Sequence, residues 1–184
     1  LPLREPCVLV VNHASYLDGI LLVGALPRKF RFVAKAELNA RLIPRLFLQR
    51  IGSLFVERFD KQIGAEDAQR LGRLAKSGES LLFFPEGTFH RMPGLLPFHL
   101  GAFIAAVQAD IPVVPIAIRG SRSILRSGSW FPRQGSLGVI IGKPVYPKGT
   151  DWTAAVELRD QVREVILRYS GEPDLAGEMN SIKE

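Results

Sequence analysis

His13 and Asp18, separated by four residues, are the side chains in this sequence best suited to acid–base chemistry. They stand in the segment 12–18, N-H-A-S-Y-L-D, which directly follows the apolar run 7–11. The Asp18 carboxylate can fold back to accept a hydrogen bond from one ring nitrogen, which leaves the other nitrogen to deprotonate an alcohol. The alternative is that Asp18 caps the helix that begins near it and that His13 is a hydrogen-bonded loop residue.

A second polar cluster, F-P-E-G-T at 84–88, also follows an apolar run. Pro85 ends a strand, and Gly87 lets backbone approach a ligand closely. The Glu86 carboxylate and the Thr88 hydroxyl are therefore expected to converge beside free backbone amides. The alternative is a polar turn that holds no ligand.

Two further strand-like runs end on a cation, G-S-L-F-V-E-R at 52–58 and V-V-P-I-A-I-R at 113–119. A guanidinium group at a strand end matches the oxygens of a phosphate, so Arg58 and Arg119 are candidates for anion binding. The alternative is that each arginine is an ordinary solvated surface residue.

The elements that position these residues alternate between short apolar runs and segments of helical periodicity. We therefore expect an α/β fold with a largely parallel central sheet flanked by helices. In such sheets ligands bind at the carboxyl ends of the strands, where the polar clusters stand. The predicted strands are 7–11, 30–34, 53–57, 80–84, 113–118 and 137–141, and the predicted helices are 18–26, 37–49, 64–76, 99–109 and 152–169.

The composition predicts a single domain over 1–184, because 184 residues with 47% hydrophobic content suffice for one core and not for two.

The net charge of +6 favours anionic partners, namely phosphorylated substrates, anionic lipid surfaces or nucleic acid. Aromatic and basic residues do not interleave in a stacking pattern, so we expect no nucleic acid. The single cysteine, Cys7, excludes a disulfide framework and favours a reducing compartment.

The sequence lacks the motifs of serine hydrolases, dinucleotide-binding enzymes and nucleotide-binding enzymes. The sequence contains no G-x-S-x-G and no G-x-G-x-x-G, and G-K-P at 142–144 lacks the rest of a phosphate-binding loop. Three histidines and one cysteine would make an unusual zinc site, so we predict no metal. No apolar stretch approaches the roughly 20 residues of a membrane-spanning helix, and the best candidate is 19–26.

Taken in order, the polar segments resemble the motifs of the glycerophospholipid acyltransferase family, which includes lysophosphatidic acid acyltransferases. The resemblance covers about residues 7–120, and its specificity lies in the ordered set rather than in any one motif. The motifs are N-H-x-x-x-x-D at 12–18, G-x-x-F-V-x-R at 52–58, F-P-E-G-T at 84–88 and V-P-I-x-I-R-G at 114–120.

The resemblance implies a catalytic dyad of His13 and Asp18. It also implies an acceptor site in which Phe89 replaces the cation that family members usually carry, so that Arg91 becomes the candidate to restore it. The predicted substrate-binding residues are Asn12, Gly52, Arg58, Glu86, Gly87, Thr88, Arg91 and Arg119.

The expected reaction moves a fatty acyl group from acyl-CoA or acyl carrier protein to a hydroxyl of lysophosphatidic acid or a related lysophospholipid. A thioester carries a good leaving group, so the alcohol can attack directly with a base and with no further cofactor. Two alternatives stay open: the same dyad acting on a phosphate-free or amine lipid or in transacylation, and a basic membrane-binding module without catalysis.

We also expect attachment to the cytoplasmic face of a membrane, either peripheral or through segments outside this chain. Five apolar residues are candidates for a shallow foothold at the mouth of the crevice: Tyr16, Phe89, Leu95, Leu96 and Trp130. The first residues lack the layout of a signal peptide. The segment 96–103 resembles acyltransferase domains fused to other modules, such as acyl-activating enzymes or transporters, so we expect a part of a longer protein.

Overall fold

A computed structural model of the chain describes residues 5–27, 29–40, 42–56, 61–88, 92–125 and 131–177. Strands and helices alternate along these ranges, as the sequence predicts. The strands are β1 (Val8–Val11), β2 (Arg31–Lys35), β3 (Leu54–Val56), β4 (Leu81–Phe83), β5 (Val113–Arg119) and β6 (Gly138–Ile141). The α-helices are α1 (Leu17–Ala25), α2 (Leu42–Arg50), α3 (Lys61–Lys76), α4 (Gly101–Ala109), α5 (Ser121–Ile124) and α6 (Trp152–Ser170).

The strands form one sheet in the order β3-β2-β4-β1-β5-β6. Strands β1 to β5 run parallel, and β6 pairs antiparallel with β5. The predicted α/β fold with a largely parallel sheet is therefore confirmed. Because β1 lies between β4 and β5, with Val10 beside Phe83 and Pro115, the loops that follow these three strands meet at one edge.

Different helices cover the two faces of the sheet. Alternate side chains of β1 point to opposite faces, so Val8 and Val10 pack with α3, α4 and α6, while Leu9 and Val11 pack with Leu22 of α1. Burying each such side chain stabilises the fold by about 1.5–3 kcal/mol. None of the helices in the described part of the chain has the length and apolar character needed to cross a bilayer.

The predicted helix 37–49 is divided in the structure into a 3₁₀ helix, Ala36–Ala40, and α2. Pro44 explains the division, because it has no N–H to donate to the carbonyl four residues earlier. In the first turn of α2 this N–H would have no partner within the helix, so proline is tolerated there.

The end of β5 is shaped by Gly120, whose φ is +84°. A Cβ at this position would lie 2.1 Å from the carbonyl oxygen of Ser136. Only glycine therefore fits between the sheet edge and α5, which explains the glycine of the R-G pair at this strand end.

Candidate active site

The loop between β1 and α1 folds around the carboxylate of Asp18, which is fully buried. Asp18 Oδ2 accepts hydrogen bonds from His13 Nδ1 at 2.9 Å, Ala14 N at 2.7 Å and Ser15 N at 2.8 Å. Tyr16, not Asp18, occupies the N-cap position of α1, so the N-cap alternative is wrong. Asp18 instead lies in the first helical turn, where the helix dipole favours a negative charge.

This arrangement sets the tautomer of His13. Two backbone N–H groups already donate to Asp18 Oδ2, so this oxygen acts as an acceptor and Nδ1–H of His13 acts as the donor. The ring lone pair then lies on Nε2. The His13 ring also stacks on Phe84, with centroids 4.2 Å apart and planes 22° apart, which restricts its rotation. The imidazole is thus held in one orientation from its edge and from its face.

Asn12 joins the ends of two neighbouring strands. Its side-chain nitrogen donates to the carbonyl of Ile118 at 3.0 Å, and its side-chain oxygen accepts from Ile118 N at 2.7 Å. The amide is buried and both of its atoms are engaged by β5. The structure therefore gives Asn12 a structural role between β1 and β5, and its substrate contact stays a prediction.

Glu86 lies beside His13 and is also buried. Its Oε1 accepts from the backbone N–H of His13 at 2.7 Å, and its Oε2 accepts from the backbone N–H of Leu96 at 2.9 Å. Both oxygens are thus directed at backbone donors. Glu86 therefore holds the loops of the site together, and its substrate-binding role stays a prediction.

Gly87 and Thr88 complete the turn after β4. Gly87 has a φ of +73°, and its N–H donates to the carbonyl of Phe84 at 3.0 Å, so the turn needs glycine here. Thr88 is exposed at the same edge of the sheet as His13. The hydroxyl of Thr88 is therefore accessible to a ligand, and its substrate-binding role stays a prediction.

Burial raises the pKa of Glu86 to about 7. The hydrogen bonds from His13 N and Leu96 N lower this pKa, the nearby negative charge of Glu172 raises it, and the positive charge of Arg122 lowers it. Desolvation outweighs the other effects because the charged form loses most of its contact with water.

The raised pKa makes the stability of the fold depend on pH through Glu86. An unfolded chain ionises this carboxyl near pH 4.5 and the folded protein near pH 7, so its stabilising contribution is full below about pH 4.5. As the pH rises through 7, the folded protein loses this contribution, which is on the order of 3 kcal/mol. In urea unfolding of wild type and Glu86→Gln, raising the pH across this range should therefore lower the free energy of unfolding of wild type relative to that of the variant. A difference that does not change with pH would show that Glu86 titrates normally.

Gly52 does not lie with the other predicted site residues. It occupies a turn between α2 and β3, has a φ of +69°, and donates its N–H to Gln49 O. This turn precedes β3, so it lies at the amino ends of the parallel strands, while His13 follows the carboxyl end of β1. The structure thus gives Gly52 a turn-forming role, and its substrate contact stays a prediction.

Of the three predicted arginines, only Arg119 lies in the described part of the chain. Arg58 and Arg91 lie outside the described residues, as do Phe89 and Trp130. Arg119 ends β5 at the correct edge of the sheet, and it is exposed. Its guanidinium lies beside Gly171, where an added Cβ would be 3.4 Å from Nη2. Recognition of phosphate by these arginines stays a prediction.

Sequence reasoning missed two charged residues whose charges act on Glu86, one in α5 and one after α6. Arg122 and Glu172 form an ion pair at 3.0 Å, with only 12% and 14% of their side chains exposed, and both charges influence Glu86. Gly171, which ends α6 with a φ of +72°, is a local sequence signal beside Glu172. Within the described residues, no group of three or more His, Cys, Asp or Glu is arranged to hold a metal, and the predicted absence of one stays a prediction.

Comparison with known proteins gives a family match and several relatives. A family model described as Acyltransferase matches residues 1–119. A chloroplastic 1-acyl-sn-glycerol-3-phosphate acyltransferase of Brassica napus is 34% identical over 160 residues, which are 86% of this chain and 46% of the relative. A lyso-ornithine lipid O-acyltransferase of Pseudomonas aeruginosa is 36% identical over 119 residues, which are 62% of this chain and 43% of the relative.

A solved structure shares the fold. The crystal structure of the 1-acyl-sn-glycerophosphate acyltransferase from Thermotoga maritima matches with a TM-score of 0.73 and 28% identity. The match covers 92% of this chain and 67% of that chain. The chain spans about half the length of the curated relatives it matches.

Proposed function

Since the chain belongs to the Acyltransferase family, we propose that it transfers a fatty acyl group from an acyl thioester to the free hydroxyl of lysophosphatidic acid. The observation that carries this proposal is the bond of 2.9 Å between His13 Nδ1 and the buried carboxylate of Asp18, at the carboxyl end of a central strand. The names of the relatives support the acceptor, and the geometry of the pair supports a general base.

In the proposed reaction, His13 Nε2 takes the proton of the acceptor hydroxyl as its oxygen attacks the thioester carbonyl carbon. A carbon–oxygen bond forms and the carbon–sulfur bond breaks. The departing thiolate takes the proton back from the imidazolium, so the products are an ester and a free thiol. Asp18 stabilises the imidazolium while it carries the proton, and no acyl-enzyme is needed. The donor is acyl-CoA or acyl carrier protein, and no cofactor takes part.

A second acceptor is favoured by a specific observation. The lyso-ornithine lipid acyltransferase is 36% identical over its matched region, and Phe89 stands where the family usually has a cation. A phosphate-free lysolipid is therefore the second candidate. For lysophosphatidic acid, we propose that Arg58 and either Arg91 or Arg119 bind the phosphate, because a guanidinium fork matches its oxygens.

Competition between the two acceptors tests this assignment. With one acyl thioester as donor, we expect the wild type to prefer lysophosphatidic acid over lyso-ornithine lipid. Arg58→Ala should raise the KM for lysophosphatidic acid about 10-fold or more, because a charged hydrogen bond contributes about 1.5–3 kcal/mol, and should leave the donor KM unchanged. Equal turnover of both acceptors, with no effect of Arg58→Ala, would rule out a phosphate site and favour the second candidate.

The described surface also supports docking on a membrane beside the site. Tyr16, Ile20 and Val23 are exposed along one side of α1, the helix whose first turn carries Asp18. The sequence of α1 contains one charged residue, Asp18, and that residue is buried. The outer face of α1 is therefore apolar. We propose that this face enters the headgroup region of an anionic bilayer, assisted by the net charge of +6.

The predicted membrane contact of Leu95 and Leu96 is wrong, because both side chains are buried in the core.

Vesicle sedimentation measures this docking directly. Binding to anionic vesicles should weaken with salt, because each basic residue near the surface contributes about 1 kcal/mol within a Debye length of about 8 Å. Ile20→Ser should weaken binding at every salt concentration, while Trp152→Ser, which changes an exposed aromatic at the start of α6, should not. Equal binding to neutral and anionic vesicles at low salt would refute the electrostatic attraction.

A further inference from the structure

The five residues after α6, 171–175, form a strap across residues 94–95. These residues directly precede Leu96, whose N–H donates to Glu86. Leu95 N donates to the carbonyl of Pro173 at 2.8 Å, and Leu175 N donates to the carbonyl of Leu95 at 3.1 Å. Leu95 and Asp174 thereby pair as in a parallel sheet. Leu95 is fully buried, so the strap fixes a core residue rather than a surface loop.

Two ion pairs hold the strap in place. Glu172 pairs with Arg122 at 3.0 Å, and its second oxygen accepts from Gly94 N at 2.5 Å. Asp174 pairs with Arg163 of α6, whose Nη2 also donates to the carbonyl of Leu95 at 3.0 Å. Loop 94–95 is thus bound through both backbone and side chains to a segment 78 residues further along the chain.

The next residue of this loop contacts the catalytic side of the molecule. Leu96 N donates to Glu86 Oε2, and Glu86 Oε1 accepts from His13 N. One buried carboxylate therefore connects the strapped loop to the backbone of His13. The strap lies beyond residues 1–119, the part of the chain that matches the family model.

We propose that Glu86 is a positioning residue that transmits the placement of the strap to His13. If the strap loosens, Leu96 N moves from Glu86, the carboxylate can rotate, and the amide of His13 loses its partner. The ring then shifts against Asp18 and Phe84. A displacement of this kind lowers the rate of proton transfer without changing the groups that bind the lipid. This inference rests on the catalytic role proposed for His13.

The test uses Glu172→Gln in the full protein, with Glu164→Gln as the matched control. Both changes neutralise a glutamate of an ion pair near the end of the chain, but the Glu164 pair is exposed and lies within α6. We expect Glu172→Gln to lower kcat about 10-fold with KM values unchanged, and Glu164→Gln to have no effect. Combining Glu172→Gln with Glu86→Gln should lower kcat by less than the product of the two single effects, because both act through the same carboxylate.

Amide hydrogen exchange of His13 supplies a measurement that needs no substrate. In Glu172→Gln the His13 amide should exchange faster, while the amide of Leu9 in the core of β1 exchanges as in wild type. If this change occurs in a protein without acyl transfer, the coupling of the strap to His13 stands and the proposed function fails. If Glu172→Gln lowers the melting temperature but leaves His13 exchange and kcat at wild-type values, the strap is only structural and the inference is overturned.

Discussion

His13→Ala is expected to lower kcat by about 10²–10⁴-fold, the usual contribution of a general base. The fold should survive, because the backbone N–H that donates to Glu86 remains and 20% of the His13 side chain is exposed. The measurement is thiol release from an acyl thioester in the presence of lysophosphatidic acid, with circular dichroism and thermal melting to confirm the fold. Asp160→Asn, which changes an exposed residue of α6, serves as a control and should behave as wild type. A folded His13→Ala protein with near wild-type transfer would refute the dyad.

Asp18→Ala is expected to affect both activity and stability. It leaves the buried amides of Ala14 and Ser15 without their acceptor, and each such loss costs about 1–3 kcal/mol. We therefore expect the free energy of unfolding to fall by about 2–6 kcal/mol and kcat to fall by at least about 10²-fold.

Asp18→Asn separates the two effects. The carbonyl of asparagine can take the place of Oδ2 and keep accepting from Ala14 N and Ser15 N, but it carries no charge to stabilise the imidazolium. This variant should therefore unfold closer to wild type than Asp18→Ala does, yet remain strongly impaired in turnover. The measurements are urea unfolding and kcat for both variants. Equal stability of Asp18→Ala and wild type would show that the carboxylate does not organise the loop.

The central part of the site could be predicted because it depends on neighbours in sequence. His13 and Asp18 are five positions apart, and the turn between a strand and a helix brings them together. The segment around Glu86 follows β4, which runs parallel to β1. The alternation of strands with helices predicts a parallel sheet, and this was enough to place the segment at the same edge as His13. The predicted strands and helices differ from the observed ones mainly at their ends and at Pro44.

Contacts between residues far apart in sequence could not be predicted from local patterns. Gly52 lies in the turn before β3, at the amino ends of the parallel strands, while His13 and Glu86 follow the carboxyl ends of β1 and β4. Asn12 looks like a ligand beside His13, yet it is bound to Ile118, 106 positions away. The ion pair between Glu172 and Arg122 spans 50 positions, and neither residue stands in a motif. Such roles depend on which side chains become buried together, which spacing alone does not specify.

The central claim is that the protein moves an acyl group to a lipid hydroxyl rather than to water. The most direct measurement supplies one acyl thioester and lysophosphatidic acid and quantifies, by mass spectrometry, the diacylated lipid formed for each thiol released. We predict one diacylated lipid for each thiol with the wild type, and almost none of either with His13→Ala. Thiol release accompanied only by free fatty acid, or no release from the folded wild-type protein with any lysolipid acceptor, would contradict it.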